Sequence, residues 1–284
     1  MLAVLVLLAV CGGCNGVFFQ PNDRFYYHPH QFDLSHQELR FQSADGTRLH
    51  GWFLPAVGPS KATIIFFHGN AANISNHLYA VRWLPRAGYD VLLFDYRGYG
   101  QSEGEPDRPG AISDGAAAIG LARRMAGGDS HPLIVYGQSL GGALAVNALA
   151  EAGTEGVRAL ILESTFASYP EAARLIMDGA WITWPFQYPF AYLFFTDDHS
   201  PLDAMQAIAG VPALVIHREG DRTVPFAAGQ ALFDALPNPD KTFWAVPGGG
   251  HIVTFAQPGA WRAKLTAWID QRLSQVAPEG AARS

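Results

Sequence analysis

The chain contains short, unbroken runs of apolar residues, separated by longer stretches that suit helices. A run without polar breaks is typical of a strand that is covered on both faces of its sheet. Strands are therefore predicted at residues 62–67, 90–94, 133–136, 159–163, 213–217 and 241–246. Because strands and helices alternate, the pattern predicts an α/β fold: a mostly parallel sheet with helices on both faces.

The stretches between the strands complete the predicted layout. Helices are predicted at residues 74–86, 111–125, 143–151, 225–236 and 261–276. Residues 39–42 and 49–54 flank Asp45-Gly46, a pair that favours a hairpin turn, so they are predicted to start the sheet as antiparallel strands. Residues 15–36 are predicted to be an extended arm that packs on the body at 37–276, and residues 277–284 to be a frayed tail.

One long segment, residues 164–210, breaks the alternation of strands and helices. A structureless loop of that length is improbable in a compact domain, so the segment is predicted to be a small helical cap over the site. Aromatic residues in a cap indicate an apolar acyl or alkyl portion in the substrate; the alternative is ordinary core or a membrane-facing surface. The aromatic residues concerned are Trp181, Trp184, Phe186, Tyr188, Phe190, Tyr192, Phe194 and Phe195.

Composition narrows the class of protein. With 284 residues, of which 49% are hydrophobic and 15% charged, the chain is long and apolar enough for one folded α/β domain with an insertion. The net charge is −6 and there is no basic run, so nucleic acid is not an expected partner.

Residues 1–14 are predicted to be an export segment. Residues 1–10 are continuously apolar, which is too short to span a bilayer but fits a signal-peptide core. Cys11 and Cys14 are the two cysteines of the chain, and the small residues before Cys14 resemble a bacterial lipoprotein processing site. We expect an exported protein, lipid-anchored through Cys14 to a bacterial membrane and facing the periplasm. The alternatives are a plain signal peptide, an uncleaved anchor or a cytoplasmic protein.

The strongest chemical signal is Gly137-Gln138-Ser139-Leu140-Gly141, between a predicted strand and helix formers. A serine at such a turn has a strained backbone, so its neighbours must lack a Cβ atom; this is the nucleophile elbow, G-x-S-x-G. A second match, Gly100-Gln101-Ser102-Glu103-Gly104, has no helix directly after it. Ser139 is therefore the predicted nucleophile, and Ser102 a polar loop residue.

A serine nucleophile needs a base, and the base needs an orienting acid. In an open parallel sheet these groups lie just beyond the carboxyl ends of strands. Asp221 follows the strand at 213–217, and His251 follows the last strand through three consecutive glycines. The predicted triad is Ser139, Asp221 and His251. The alternatives are a helix cap for Asp221, a plain loop histidine for His251, and other acids in the runner-up set Asp197, Asp198 and Asp203.

Backbone donors must meet the oxyanion that forms during attack. The predicted donors are the N–H groups of Leu140, at a helix start, and Asn70, with Ala71 next in line. His68 is predicted to lock the Asn70 loop by hydrogen bonds, and His217 to be strand-end structure. The sequence suggests no role for His28, His30, His36, His50, His77, His131 or His199.

No cofactor or metal is predicted. The histidines lack H-x-x-x-H and H-E-x-x-H spacings, and no phosphate-cradling loop of the GKS or GKT type occurs. Serine acyl transfer requires neither.

Taken together, these motifs resemble the α/β-hydrolase superfamily, and most closely the BEM46-like or abhydrolase-13-like serine hydrolases. The residues that carry the resemblance are His68-Gly69-Asn70, Asp95-Tyr96-Arg97-Gly98-Tyr99-Gly100-Gln101-Ser102, Gly137-Gln138-Ser139-Leu140-Gly141-Gly142, Gly220-Asp221 and Gly250-His251. It covers about residues 37–275 and implies the same triad, and bacterial members often carry a lipoprotein-type N-terminus. Two positions depart from the family pattern: Ala72 and Arg218 stand where relatives usually have Gly.

The sequence thus predicts a serine hydrolase that cleaves carboxylic esters or related acyl bonds through an acyl-enzyme on Ser139. The expected partner is a small-molecule ester or acyl substrate with an apolar portion. Two alternatives remain: a catalytically idle envelope binding or scaffold protein, and an amide or peptide hydrolase, because one fold hosts many reactions.

Overall fold

The computed structural model of the chain describes residues 18–127, 131–178, 193 and 196–275. The predicted export segment with Cys11 and Cys14, the predicted tail at 277–284, and the eight aromatic residues of the predicted cap lie outside the described residues.

The strands form one large sheet and one small one. In chain order they are β1 (Gln20–Pro21), β2 (Gln37–Gln42), β3 (Arg48–Leu54), β4 (Thr63–Phe67), β5 (Ala71–Ala72), β6 (Asp90–Phe94), β7 (Leu133–Gln138), β8 (Val157–Glu163), β9 (Ala213–Gly220) and β10 (Lys241–Gly249). The large sheet has the order β10-β9-β8-β7-β4-β6-β3-β2. Strands β2, β3 and β6 pair antiparallel, and all other neighbours in this sheet pair parallel. The predicted α/β class with an antiparallel start is confirmed.

Helices cover both faces of this sheet. They are α1 (Ile74–Val81), α2 (Arg108–Met125), α3 (Leu140–Ala152), α4 (Tyr169–Asp178), α5 (Pro201–Ala204), α6 (Phe226–Ala235) and α7 (Ala260–Ser274), with 3-10 turns at Pro29–Phe32, Pro85–Ala87 and Met205–Ile208. Alternate residues of β4 point to opposite faces: Phe67 joins the core under α2, α3 and α6, whereas Phe66 joins the core under α1 and α7. Among the described residues, no helix has the length and apolar character needed to cross a membrane.

Several predicted helix bounds differ from the structure, and two of the differences have a clear local cause. The helix predicted at 74–86 ends at Val81, and Pro85 opens a separate 3-10 turn. Proline lacks the N–H that an interior helical position donates, which accounts for the early end. The helix predicted to start at 111 begins at Arg108, because the Asp107 carboxylate caps it by accepting from the Gly110 N–H at 2.7 Å.

The described part of the predicted arm, residues 18–36, contacts the body. Strand β1 pairs in parallel with β5, and the buried ring of Phe18 lies edge-on to Tyr169 with 5.0 Å between ring centroids. The segment predicted as a cap contains α4, α5 and the Met205–Ile208 turn among its described residues. Its placement over the site stays a prediction.

Helices α2 and α3 approach each other closely where Gly115 faces the sheet. A Cβ atom on Gly115 would lie 2.4 Å from Phe67 Cε1 and 2.8 Å from Ala148 Cβ. Real Cβ atoms do not tolerate such contacts, so any larger residue here forces the two helices and β4 apart.

We expect Gly115→Ala to lower the free energy of unfolding by about 1–3 kcal/mol, the usual range for overpacking a core. The matched control is Gly120→Ala on the same helix, where the nearest atom, Arg124 Nη1, is 3.5 Å from the new Cβ. That variant should gain about 0.5–1 kcal/mol from helix propensity. Urea unfolding followed by tryptophan fluorescence measures both; equal shifts of the two variants would contradict the packing argument.

Candidate active site

Ser139 occupies a strained turn between β7 and α3. Its backbone has φ +54° and ψ −126°, outside the regions that non-glycine residues favour. The turn is held from both sides, because the Ser139 N–H donates to Glu163 O at 2.9 Å and the Ser139 carbonyl accepts from the Gly142 N–H at 2.9 Å. The predicted strand–turn–helix around Ser139 is therefore present.

Close backbone contacts explain the two glycines that flank this serine. A Cβ on Gly141 would lie 2.2 Å from Phe67 O, and a Cβ on Gly137 would lie 2.5 Å from Gly142 Cα. These neighbours are backbone atoms, which cannot move aside as a side chain can. The first turn of α3 thus lies directly against the end of β4, and Ser139 is presented at that junction.

The Asp221 carboxylate receives three hydrogen bonds. Its Oδ2 lies 2.8 Å from His251 Nδ1, and its Oδ1 accepts from the N–H groups of Thr223 at 2.9 Å and Val224 at 3.1 Å. Burial favours the neutral carboxyl, but the His251 contact and the two N–H donors outweigh it and hold the pKa of Asp221 below its usual value. Ionised Asp221 therefore fixes the Nδ1–H tautomer of His251 and leaves Nε2 free to accept a proton.

Gly69 packs against both Ser139 and His77. A Cβ on Gly69 would lie 3.5 Å from Ser139 Cβ and 3.2 Å from His77 Cε1. Burial, together with the nearby charge of His251, lowers the pKa of His77 to about 4. No hydrogen bond joins the Ser139 hydroxyl to His251 among the bonds of the described residues. In serine enzymes this contact often shortens only when substrate binds.

The two predicted oxyanion donors lie at the ends of neighbouring segments. Leu140 opens α3, and the Asn70 carbonyl is fixed by the Tyr99 hydroxyl at 2.6 Å and by the Gln20 N–H at 3.3 Å. Within the described part of the chain, the backbone N–H groups of Leu140 and Asn70 have no acceptor. Both donors are thus available to an oxyanion, with the α3 dipole adding to the Leu140 donor.

His68 anchors the Asn70 loop through a ring contact and a hydrogen bond. Its buried ring lies 4.3 Å from the Tyr96 ring centroid, and its Nδ1–H donates to Gly69 O at 2.8 Å. Burial, with a smaller contribution from His77, holds the pKa of His68 well below its usual value, so the ring is neutral. This is the locking contact predicted for His68.

Three other polar residues that the sequence singled out make hydrogen bonds that support the fold. Ser102 Oγ accepts from the His50 N–H at 2.9 Å and donates to Asp95 O at 2.7 Å. The buried His217 donates to Val224 O at 2.9 Å and so supports the loop after Asp221. Asp197 caps the start of α4, accepting from the Tyr169 N–H at 3.1 Å.

Two features near the serine were missed by sequence reasoning. The first is His77, which donates to Ala71 O at 2.9 Å and packs beside Gly69. The second is the fully buried Glu163 carboxylate, which accepts from Gln138 Nε2 at 2.6 Å and from the Tyr136 hydroxyl. The signal for Glu163 was an acid that ends an otherwise apolar strand; nothing in the sequence marked His77.

The two departures from the family pattern have visible consequences. Ala72 has φ +67°, a left-handed conformation that favours glycine. Arg218 Nε donates to Gly249 O at 2.8 Å, so this side chain braces the glycine turn that carries His251. The second departure therefore adds a contact next to the site.

Comparisons with known proteins identify the family of this chain. Residues 58–188 match the family described as "Serine aminopeptidase, S33". YfhR of Escherichia coli K12 is 35% identical over 243 residues, 84% of this chain and 80% of that protein. Protein bem46 of Schizosaccharomyces pombe is 30% identical over 226 residues, 78% and 73% of the two chains. Lysophosphatidylserine lipase ABHD12 of Danio rerio is 33% identical over 221 residues, 72% of this chain and 53% of that protein.

A solved structure shares the fold. The Pyrococcus furiosus esterase Pf2001 superposes with a TM-score of 0.68 at 21% identity, covering 91% of this chain and 97% of that one. Fold and matches together define the class, an α/β hydrolase. Within this class the chain belongs to the BEM46-like α/β-hydrolase family, as its motifs indicated.

The left-handed backbone at Ala72 is strained, and replacing this alanine with glycine tests how much that strain lowers the free energy of unfolding. A left-handed alanine costs about 1–2 kcal/mol, whereas glycine loses about 0.4–1 kcal/mol more chain entropy on folding. We therefore expect Ala72→Gly to raise the free energy of unfolding, by up to about 1 kcal/mol. The control is Ala71→Gly, at a position without positive φ, which should lower it by about 0.4–1 kcal/mol. Denaturant titration decides; a loss of stability in both variants contradicts the strain at residue 72.

Proposed function

We propose that this hydrolase is a serine hydrolase that cleaves carboxylic esters through a covalent acyl-enzyme on Ser139. The observation that carries the proposal is the 2.8 Å contact between His251 Nδ1 and the Asp221 carboxylate, at the sheet edge where the strained turn presents Ser139. An imidazole oriented by a carboxylate, at the same sheet edge as a serine on a nucleophile elbow, is what a serine hydrolase needs, and this supports the proposal.

In the proposed first step, the Ser139 oxygen attacks the carbonyl carbon while His251 Nε2 accepts the hydroxyl proton. Asp221 stays ionised and stabilises the imidazolium that forms. The carbonyl oxygen becomes an oxyanion, which the N–H groups of Asn70 and Leu140 meet with hydrogen bonds. When the tetrahedral adduct collapses, His251 returns the proton to the leaving alcohol and the acyl group stays on Ser139.

In the proposed second step, water hydrolyses the acyl-enzyme. His251 Nε2 takes a proton from a water molecule as its oxygen attacks the acyl carbon, and the same two N–H groups meet the second oxyanion. Collapse of this adduct releases the carboxylic acid, and His251 returns the proton to Ser139.

The ester class is supported by the lipase name of the relative ABHD12. An amide substrate is the second candidate, because the matched family is described as a serine aminopeptidase.

The proposed triad predicts how substitutions at Ser139 and Asp221 change the rate of hydrolysis. We expect Ser139→Ala to abolish hydrolysis of p-nitrophenyl butyrate and labelling by a fluorophosphonate probe. Asp221→Asn should lower kcat by about 10⁴-fold, because the neutral amide favours the wrong tautomer of His251. The matched control is Ser102→Ala, which alters the other G-x-S-x-G serine and should keep its labelling. A p-nitroanilide of the same acyl group measures the amide alternative.

Two results would reject this assignment. One is equal probe labelling of the wild type and Ser139→Ala. The other is full esterase activity in Asp221→Asn, since an enzyme that does not need the oriented imidazole does not use this triad.

The place of action is a separate proposal that rests on the sequence. We propose that Cys14 is lipidated and anchors the protein to a bacterial membrane, facing the periplasm. Expression in a bacterial host with an alkyne-tagged fatty acid should label the wild type and Cys11→Ser but not Cys14→Ser. Equal labelling of Cys14→Ser and the wild type would exclude Cys14 as the acceptor.

A further inference from the structure

Three side chains from the arm and β2 meet at the edge of the sheet, among residues without a role in the triad. They are His28 within the arm, His36 at the end of the arm, and Glu38 within β2. One ligand atom from each lies within 4.8 Å of the others. A fourth group adjoins them, because His30 Nδ1 lies 2.7 Å from His28 Nδ1.

The spacing of these atoms suits a small tetrahedral ion. His36 Nε2 is 3.5 Å from Glu38 Oε1. Two ligands that bind one zinc ion at 2.0–2.1 Å in tetrahedral geometry are about 3.3 Å apart. Small rotations of half-exposed side chains are therefore enough to bring these groups to bonding distance of one ion.

A second layer of hydrogen bonds holds the carboxylate in place. Glu38 Oε1 accepts from Trp52 Nε1 at 2.9 Å, and Glu38 Oε2 lies 2.6 Å from His50 Nε2. The buried His50 in turn lies 3.3 Å from the buried Asp95 through its Nδ1. Metal-binding carboxylates in proteins are commonly oriented by such outer partners.

The imidazoles are also held by the fold. The fully buried Trp52 lies 5.5 Å from the ring of His28 and 5.9 Å from the ring of His36, measured between centroids. The 3-10 turn at Pro29–Phe32 brings the two histidines together, and the pairing of β2 with β3 places Glu38 opposite Trp52. Ring packing on Trp52 and the pairing of β2 with β3 thus position the cluster.

We propose that His28, His36 and Glu38 bind a divalent transition-metal ion of the zinc class. Imidazole nitrogens with one carboxylate suit zinc and its neighbours, whereas calcium and magnesium prefer sites made of oxygen atoms. The ion ties the arm to the β2–β3 edge. The arm in turn contacts the start of α1, because Asn73 Nδ2 donates to Arg24 O at 2.9 Å. The site is therefore a structural clamp, separate from the triad.

The test uses the untagged full chain and zinc chloride alone. Isothermal titration and native mass spectrometry should show one zinc ion per chain, and zinc should raise the melting temperature. We expect His36→Ala and Glu38→Gln each to weaken zinc binding by at least about 10-fold. The Glu38→Gln variant keeps the side-chain shape, and circular dichroism without metal shows whether each variant folds.

The controls change other groups that bind zinc. His131→Ala removes a histidine that pairs with Asp90 on another part of the surface. Cys11→Ser/Cys14→Ser removes both thiols, and His251→Ala alters the proposed triad. All three should bind zinc as the wild type does. The proposal is overturned if the wild type binds no zinc, if folded His36→Ala and Glu38→Gln bind as tightly as the wild type, or if binding is lost with the thiols or His251. Esterase activity plays no part in this readout, so the result is independent of the proposed function.

Discussion

The site depends on one close approach: the first turn of α3 lies against the last residues of β4, with no room for a side chain at Gly141. This contact positions both the proposed nucleophile and the loop that carries a proposed oxyanion donor. It raises Ser139 on a strained turn at the end of β7, and it brings the loop that begins at His68 alongside that serine. Backbone strain of about 1–3 kcal/mol at one residue persists only where the surroundings leave no alternative. Here the neighbours are the backbone of β4 and the inter-strand bond to Glu163.

Much of this arrangement was readable from the sequence, because its causes are local. The continuous apolar runs gave the inner strands to within a few residues, and the G-x-S-x-G turn followed from the need for residues without Cβ atoms. The order of strands in the sheet and the pairing of β1 with β5 were not readable, because they depend on contacts between segments far apart in the chain. The predicted helix at 74–86 included Pro85, whose missing N–H accounts for the early end of α1.

The polar residues divide in the same way, into those marked by their local sequence and those that depend on contacts between distant segments. Asp221 and His251 were found because each directly follows a strand, and parallel strands end at one edge. His77 and the cluster around Glu38 carry no such positional signal. Their partners lie on other elements: His77 lies on α1 and contacts the loop before it, and Glu38 pairs with His50 across a hairpin. A spacing rule for metal ligands on one helix does not detect a set of side chains contributed by an arm and a strand.

The pairing of β1 with β5 fixes where the chain enters the body. Gln20 donates its N–H to the carbonyl of Asn70, the residue whose own N–H is a proposed oxyanion donor. Within the described residues, the start of the chain at 18–21 thus lies beside the loop that carries this proposed donor. Because the Tyr99 hydroxyl and the Gln20 N–H hold the same carbonyl of Asn70, any change in the pairing of β1 with β5 acts directly on the orientation of this peptide unit.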